Sequence, residues 1–254
     1  MRGHVISLAR RPDRRERFLE WNAGKGIELA MFDAVDGRRL RRQELIDDGL
    51  IADESLGFSA GALGNALSHH ALWRSCVKHS EPIIVFEDDA FLPSHLGEWL
   101  APVTAELAAG CDIFYLGYNR NAVISFGYGG QWCNAAFDQP PSPFDAAVKQ
   151  HEERRGTHSR CILDTRLVWG TLGYAISPQS AERLLKYCFP LSDKQPVRMY
   201  GSAKMLVPYA LDGVINVVIQ RGLVRARSVF PPLVIGPNDQ SDSDVVRHMP
   251  ATTG

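Results

Sequence analysis

Two hydrophobic periods alternate along this chain. Short runs of consecutive apolar residues are separated by stretches in which apolar positions recur every three or four residues. The first pattern suits buried strands and the second amphipathic helices, so their alternation predicts an α/β fold. Val5–Leu8 reads as a first strand. Pro12 suits a first helical position, and that helix runs through Phe18 and Trp21 to a stop near Gly24. Leu29–Phe32 reads as a second strand, ending at Asp33-Ala34-Val35-Asp36-Gly37. Gly61–Ser80 reads as a helix with Leu63, Ala66, Leu67, Ala71, Trp73 and Val77 on one broad arc. His70 and Arg74 fall inside that arc, where burial demands partners.

Ile83-Ile84-Val85-Phe86 is a continuous apolar run of strand length, suited to a central strand covered on both faces. It stops abruptly at Glu87-Asp88-Asp89. A helix is expected from Ser94 to Gly110, kinked or split by Pro102, followed by a buried strand at Ile113–Gly117. Glycines and prolines crowd the next segment, which reads as a long, mostly irregular excursion over about 119–166. Regular structure returns at Leu167–Ile176. Ser177 then caps a helix that starts at Pro178 and carries Ala181, Leu184, Leu185 and Cys188 on one face. Val214–Ile219 and Leu223–Val229 read as two short strands, and after Pro231-Pro232 the polar chain is expected to wrap the surface. With no repeat and no boundary signal, residues 1–254 read as one domain.

Composition narrows the class of partner. The 254 residues are enough to bury a core without disulfides or metal staples. Lysine plus arginine number 28 against 29 acids, so the basic surplus of a nucleic-acid binder is missing and none is expected as partner. The five cysteines are far apart and form no Cys-x-x-Cys, which argues for inert thiols in a reducing compartment and against a zinc cluster. No apolar stretch reaches the roughly 18 residues of a membrane span, and none near the start suits a signal peptide, so the expected location is cytoplasmic.

The chemistry concentrates at one strand end. In open α/β sheets ligands collect at the carboxyl ends of strands, where Glu87-Asp88-Asp89 stands. Neighbouring carboxylates repel, by roughly 4 kcal/mol at about 4 Å with an effective dielectric near 20, and a hard divalent cation turns that repulsion into attraction. Glu87 and Asp89, alternate in an extended segment, are placed to share one ion. Ten of the first 42 residues are arginine, and Arg10-Arg11 and Arg38-Arg39 follow strand ends, where guanidinium groups suit phosphate oxygens. Ser68-His69-His70 sits mid-helix without a nucleophile elbow and reads as a structural tie. Without a Gly-x-Gly-x-x-Gly or a Walker loop, a dinucleotide dehydrogenase or P-loop NTPase is not expected.

Several segments, in order, resemble glycosyltransferase family 25, the lipooligosaccharide biosynthesis glycosyltransferases. They are Ser7-Leu8-Ala9-Arg10-Arg11-Pro12-Asp13-Arg14, then Ala34-Val35-Asp36-Gly37, then Gly61 and Gly64 with Leu67-Ser68-His69 and Leu72-Trp73. Phe86-Glu87-Asp88-Asp89, Gly170-Thr171 with Tyr174-Ala175-Ile176-Ser177, and Ser243-Asp244-Val245 follow. The resemblance implies a GT-A-like single domain with a mostly parallel central sheet flanked by helices. It implies inverting transfer of a sugar, galactose above others, from a UDP-sugar to an oligosaccharide of a surface glycolipid or polysaccharide. Mn2+ or Mg2+ is implied as cofactor, held with the diphosphate by Glu87 and Asp89 as a DxD-like pair. Arg10, Arg11 and Asp36 are placed near the nucleotide, and Ser7 and Asp88 are counted with them. A glycolipid acceptor also implies peripheral contact with the inner membrane.

The chain departs from the family pattern at Ser7, Ala9, Asn65, Leu172, Gly173 and Arg198, and two of these bear on activity. Leu172 stands in place of a histidine, and Arg198 follows Pro196-Val197 where the family carries an acid. They support an alternative reading, a non-catalytic member that binds a nucleotide sugar or glycan or supports an assembly. Inverting transfer needs a carboxylate base. Asp193, near Arg198, is the choice over Asp212 and Asp88, and Asp244 or His248 is a candidate to complete the metal shell.

Overall fold

The Val5-Ile6-Ser7 run closes β1 (Arg2–Ser7), which lies between β2 (Leu29–Asp33) and β3 (Ile83–Glu87) and runs parallel to both. The structure is a computed structural model that describes residues 1–128, 130–137, 144–153, 160–237 and 242–244. α1 (Pro12–Trp21) opens on its proline, as expected. A 3-10 turn (Gly37–Arg39) and α2 (Arg42–Asp47) lead to α3 (Ala60–His79), whose first turn is capped by the Ser59 hydroxyl accepting the Ala62 N–H. A Cβ on Gly37 would stand 1.6 Å from the Ala60 carbonyl oxygen, and one on Gly64 2.4 Å from that of Val35. Only glycine permits this approach of α3 to the turn after β2, and the approach fixes Asp36 at the sheet edge.

Beyond β3, a 3-10 turn (Leu96–Trp99) leads into α4 (Leu100–Ala108). Pro102 falls in the first turn of α4, where an N–H has no intrahelical partner to lose. The chain then forms β4 (Ile113–Gly117), β5 (Ile124–Tyr128), β6 (Gln131–Ala135), α5 (Phe144–Glu153), β7 (Cys161–Leu167) and β8 (Gly173–Ile176). It ends with α6 (Pro178–Cys188), a two-stranded hairpin of β9 (Val197–Arg198) and β10 (Met205–Leu206), α7 (Leu211–Gln220) and β11 (Ala226–Phe230). Nine strands form one sheet in the order β2-β1-β3-β8-β4-β11-β7-β5-β6. From the pairings, six of the nine run in one direction, and β8, β7 and β6 run against them.

Helices cover both faces. Along β3, Ile83 and Val85 join the cluster under α3, α6 and α7, while Ile84 and Phe86 join the one under α1 and α4. This alternation is what a continuous apolar run gives when both faces are buried. No helix of the described residues is long and apolar enough to cross a membrane.

Three expectations are corrected. Val214–Ile219 is not a strand but the body of α7, with seven of its ten residues buried. The β-branched run Val214–Ile219, broken only by Asn216, imitated a strand when read apart from Asp212 and Gln220, which share its helical spacing. The 119–166 segment is not mostly irregular: it holds β5, β6, α5 and β7, its residues 138–143 and 154–159 lying outside the described ones. The chain after Pro232 does not stay on the surface. Leu233, Val234 and Ile235 are buried, and Phe91 N–H donates to the Ile235 carbonyl at 2.7 Å.

Candidate functional site

The carboxyl ends of β1, β2, β3 and β4 open on one cleft of about 430 Å³. Ile6–Leu8, Ala34–Gly37, Glu87–Asp89 and Asn119 are among the residues these ends contribute. Gly170-Thr171, just before the antiparallel β8, and Tyr209–Asp212, at the start of α7, complete the lining. Gly170 has φ +84°, and a Cβ there would meet Asn119 Oδ1 at 2.5 Å. The turn thus needs glycine, and it presents the Thr171 hydroxyl to Glu87 Oε1.

The three acids are held differently. Burial first, and the Asp89 charge second, raise the Glu87 carboxyl to about 7. Asp88 is spoken for: Ser7 Oγ donates to its Oδ2 at 2.7 Å and the Arg14 guanidinium lies 2.5 Å from its Oδ1. Ser7 is therefore a support for Asp88. Asp89 lies 3.6 Å from Arg14, its carboxyl is raised by burial, and its Oδ1 is buried without a hydrogen-bond partner.

The basic rim is tied down by the far end of the chain. Arg10 pairs with Asp36 at 3.3 Å and Asp244 at 2.8 Å. Arg11 pairs with Asp13 at 2.8 Å, Asp242 at 2.6 Å and Asp244 at 3.0 Å, and it does not line the cleft. Arg17 reaches Asp242 at 3.1 Å, and Arg14 donates to the Asp242 carbonyl. Asp36 is held near 2 by the hydrogen bond from Arg38. Asp244 is thus occupied by arginines instead of joining a metal shell, and His248 lies outside the described residues.

Asp193 is not brought to the cleft; its Oδ2 accepts the Gly57 N–H at 2.8 Å. Nor does Arg198 reverse the charge of the site. It is exposed, its guanidinium lies 5.8 Å from the Tyr200 ring, and its backbone exchanges hydrogen bonds with the Gln220 amide. The acid that does enter is Asp212, in the first turn of α7, where its carboxylate accepts the N–H groups of Gly170 and Gly213, each at 2.8 Å. Burial raises its carboxyl against those two bonds. An acid just ahead of an apolar run is a helix-start signal, but reading 214–219 as a strand hid it. Thr171 belongs to the family resemblance without being expected as a site residue, and Asn119 carries no sequence signal beyond a nearby glycine.

The tie expected from Ser68-His69-His70 is present. Ser68 Oγ accepts the Val35 N–H and donates to the Gly64 carbonyl. The Tyr174 hydroxyl accepts from Trp73 Nε1 at 2.8 Å and sits 2.7 Å from His69 Nδ1, and burial holds the imidazole down to about 3.

Glu87 and Asp89 fit a divalent cation. Two buried carboxylates with raised protonation, one carrying an orphaned oxygen, are the donor set such an ion relieves. Among the described residues no three His, Cys, Asp or Glu side chains form a ligand group, so further ligands would be oxygens of substrate and water. Magnesium habitually binds in that way.

Over residues 1–197 the sequence matches the family described as glycosyltransferase family 25 (LPS biosynthesis protein). The chain belongs to that family. A glycosyltransferase 25 family member of Aedes aegypti is 28% identical over 207 residues, which is 78% of this family 25 chain and 30% of that protein. A probable inactive glycosyltransferase 25 family member 3 of Bos taurus is 36% identical over 124 residues, 44% of this chain and 21% of its own length. This family 25 chain thus spans less than a third of the length of the curated relatives it matches.

Proposed function

We propose that this chain transfers a sugar from a UDP-sugar, galactose above others, to a hydroxyl of an oligosaccharide on a glycolipid or polysaccharide, with inversion at the anomeric carbon. The observation that carries the reading is the pairing, in one cleft, of the Glu87/Asp89 carboxylates with a rim of arginines and a separate buried acid, Asp212. A divalent cation held by Glu87 and Asp89 would offset the charge that develops on the departing diphosphate. Arg10, Arg14 and Arg17 add fixed positive charge on the same side. Asp212 is the acid placed to take the acceptor proton, and its raised carboxyl is a stronger base than a surface aspartate. As the acceptor oxygen bonds to the anomeric carbon, the bond to the diphosphate breaks. Its electron pair leaves with UDP, and the acceptor proton passes to Asp212.

One observation favours the second reading, a family member that binds nucleotide sugar without turnover. Arg14 already sits against Asp88 and Asp89 where a cation would act, and a relative named probable inactive is 36% identical over 124 residues of the chain. Calorimetric titration of UDP-galactose, with and without manganese, followed by a transfer assay, separates the two. Manganese-dependent binding with turnover that disappears in Asp89→Asn is the expected result. Binding without turnover over a broad acceptor screen gives the second reading, and absence of binding to UDP-galactose, UDP-glucose and UDP removes both.

A further inference from the structure

Exposed large apolar side chains are concentrated in one place. Of the five found among the described residues, Leu19 stands alone on α1, while Trp132, Met205, Val207 and Tyr209 belong to β6 and to the β9–β10 hairpin with its exit. These last four form one connected face. Asn134 Nδ2 donates to the Tyr200 carbonyl at 2.7 Å, the Trp132 and Tyr200 rings stack at 6.3 Å, and Met205 lies opposite Arg198 across the hairpin. Val207 is 61% exposed, and two residues later Tyr209 lines the cleft. The same stretch is basic. Residues 194–211 carry Lys194, Arg198 and Lys204 and no acid. Lys194 pairs with Asp53, whereas Arg198 and Lys204 enter no ion pair among the described residues.

We infer that this face docks the protein on an anionic lipid surface, with Met205 and Val207 inserted among the lipids, Arg198 and Lys204 at the headgroups, and the cleft mouth held beside the membrane. Resting on the glycolipid acceptor proposed above, it assigns to named residues the contact that such an acceptor requires. Aromatic residues at the headgroup level, aliphatic residues beneath and flanking bases are the chemistry of interfacial binding. A glycan fits this face less well. Sugar rings stack on open aromatic faces, and the Trp132 ring is already engaged by Tyr200 and by the Arg166 guanidinium 4.7 Å away. A second copy fits poorly too, since a two-fold contact over this face would set Arg198 and Lys204 against their own counterparts.

The test is sedimentation of the full chain with phosphatidylcholine vesicles, either pure or containing about a third phosphatidylglycerol. The wild type is expected to partition to the anionic vesicles at least about tenfold more strongly than to the neutral ones, and less at high salt. Met205→Ser with Val207→Ser, and separately Arg198→Gln with Lys204→Gln, are each expected to lower that partition by about tenfold while UDP binding stays unchanged. Unaltered partition in both variants, or no preference for anionic vesicles, overturns the proposal. So does a concentration-dependent dimer that both variants abolish, or loss of soluble oligosaccharide binding without any vesicle binding. Vesicle binding without UDP binding would leave this surface standing and remove the transferase reading, so the two fail separately.

Discussion

The two sides of the cleft are built on opposite principles. On the side of β1 and β3, nearly every charge is neutralised: Arg10, Arg11, Arg14 and Arg17 are laced to Asp13, Asp36, Asp88, Asp242 and Asp244. On the β9–β10 hairpin, Arg198 and Lys204 enter no ion pair among the described residues and stand beside exposed apolar side chains. A preorganised lattice suits a ligand of fixed geometry such as a diphosphate, because the oriented charges need not reorganise when it binds. A loosely charged, apolar surface suits a partner without fixed geometry. Within the first side, Glu87 and the unpartnered, buried Oδ1 of Asp89 escape the lattice, which marks them as the groups left for a ligand.

The largest effects are expected where that lattice is incomplete. Asp89→Asn should lower transfer by about a thousandfold with the fold intact, because it removes charge at the leaving group. A steady-state rate near wild type would show that the gap in the lattice is not the working part. Asp212→Asn should lower kcat by about a hundredfold and leave the donor KM almost unchanged, as removal of a base does. An equal rise in KM with no change in kcat would place Asp212 in binding alone.

Arg14→Ala tests the lattice itself. The Arg14 side chain is only 11% exposed, so its loss leaves Asp88 and Asp89 uncompensated. The expected cost is about 3 kcal/mol of stability, read as a thermal midpoint lower by roughly 10 °C.

Glu87 gives the comparison a pH signature. Its folded carboxyl is raised to about 7, above its ordinary 4.5, so the folded state holds the extra proton between those values. In chelator, this contribution is full below about pH 4.5 and is lost as pH rises through 7. Manganese should flatten that fall, which a thermal melt series at several pH values would show. The smallest effect belongs to Asp193→Asn. With its carboxylate on Gly57 and outside the cleft, turnover is expected to stay within about twofold.

Much of this was legible from the sequence because the first half of the chain obeys local rules. Pro12 starts a helix, and the Ile83–Phe86 run ends in acids at a strand's carboxyl end. The second half follows tertiary demands instead. α7 buries seven of its ten residues, and Asn216, the one polar break in the Val214–Ile219 run, is used to bind the Val168 N–H and carbonyl. The β9–β10 hairpin moves the site acid fourteen residues beyond Arg198, the position where local spacing looked for it. The resemblance placed Arg11 and Ser7 at the nucleotide. In the structure Ser7 lines the cleft while also holding Asp88, and Arg11 lies outside the lining and ties Asp242 and Asp244, a distinction that only three-dimensional contacts carry.

The ion pairs of Arg10 and Arg11 with Asp242 and Asp244 join residues more than 230 positions apart. During synthesis, these arginines leave the ribosome before β2 and every later strand, and Asp242 and Asp244 emerge only after every strand of the sheet. The sheet and the Glu87–Asp89 corner can therefore assemble while the basic rim has only Asp13, Asp36, Asp88 and Asp89 as partners, a more open anion trap on a nascent chain. Completion of the rim is a late event in the birth of the molecule, timed by translation, and it divides the maturation of the fold from the maturation of the site.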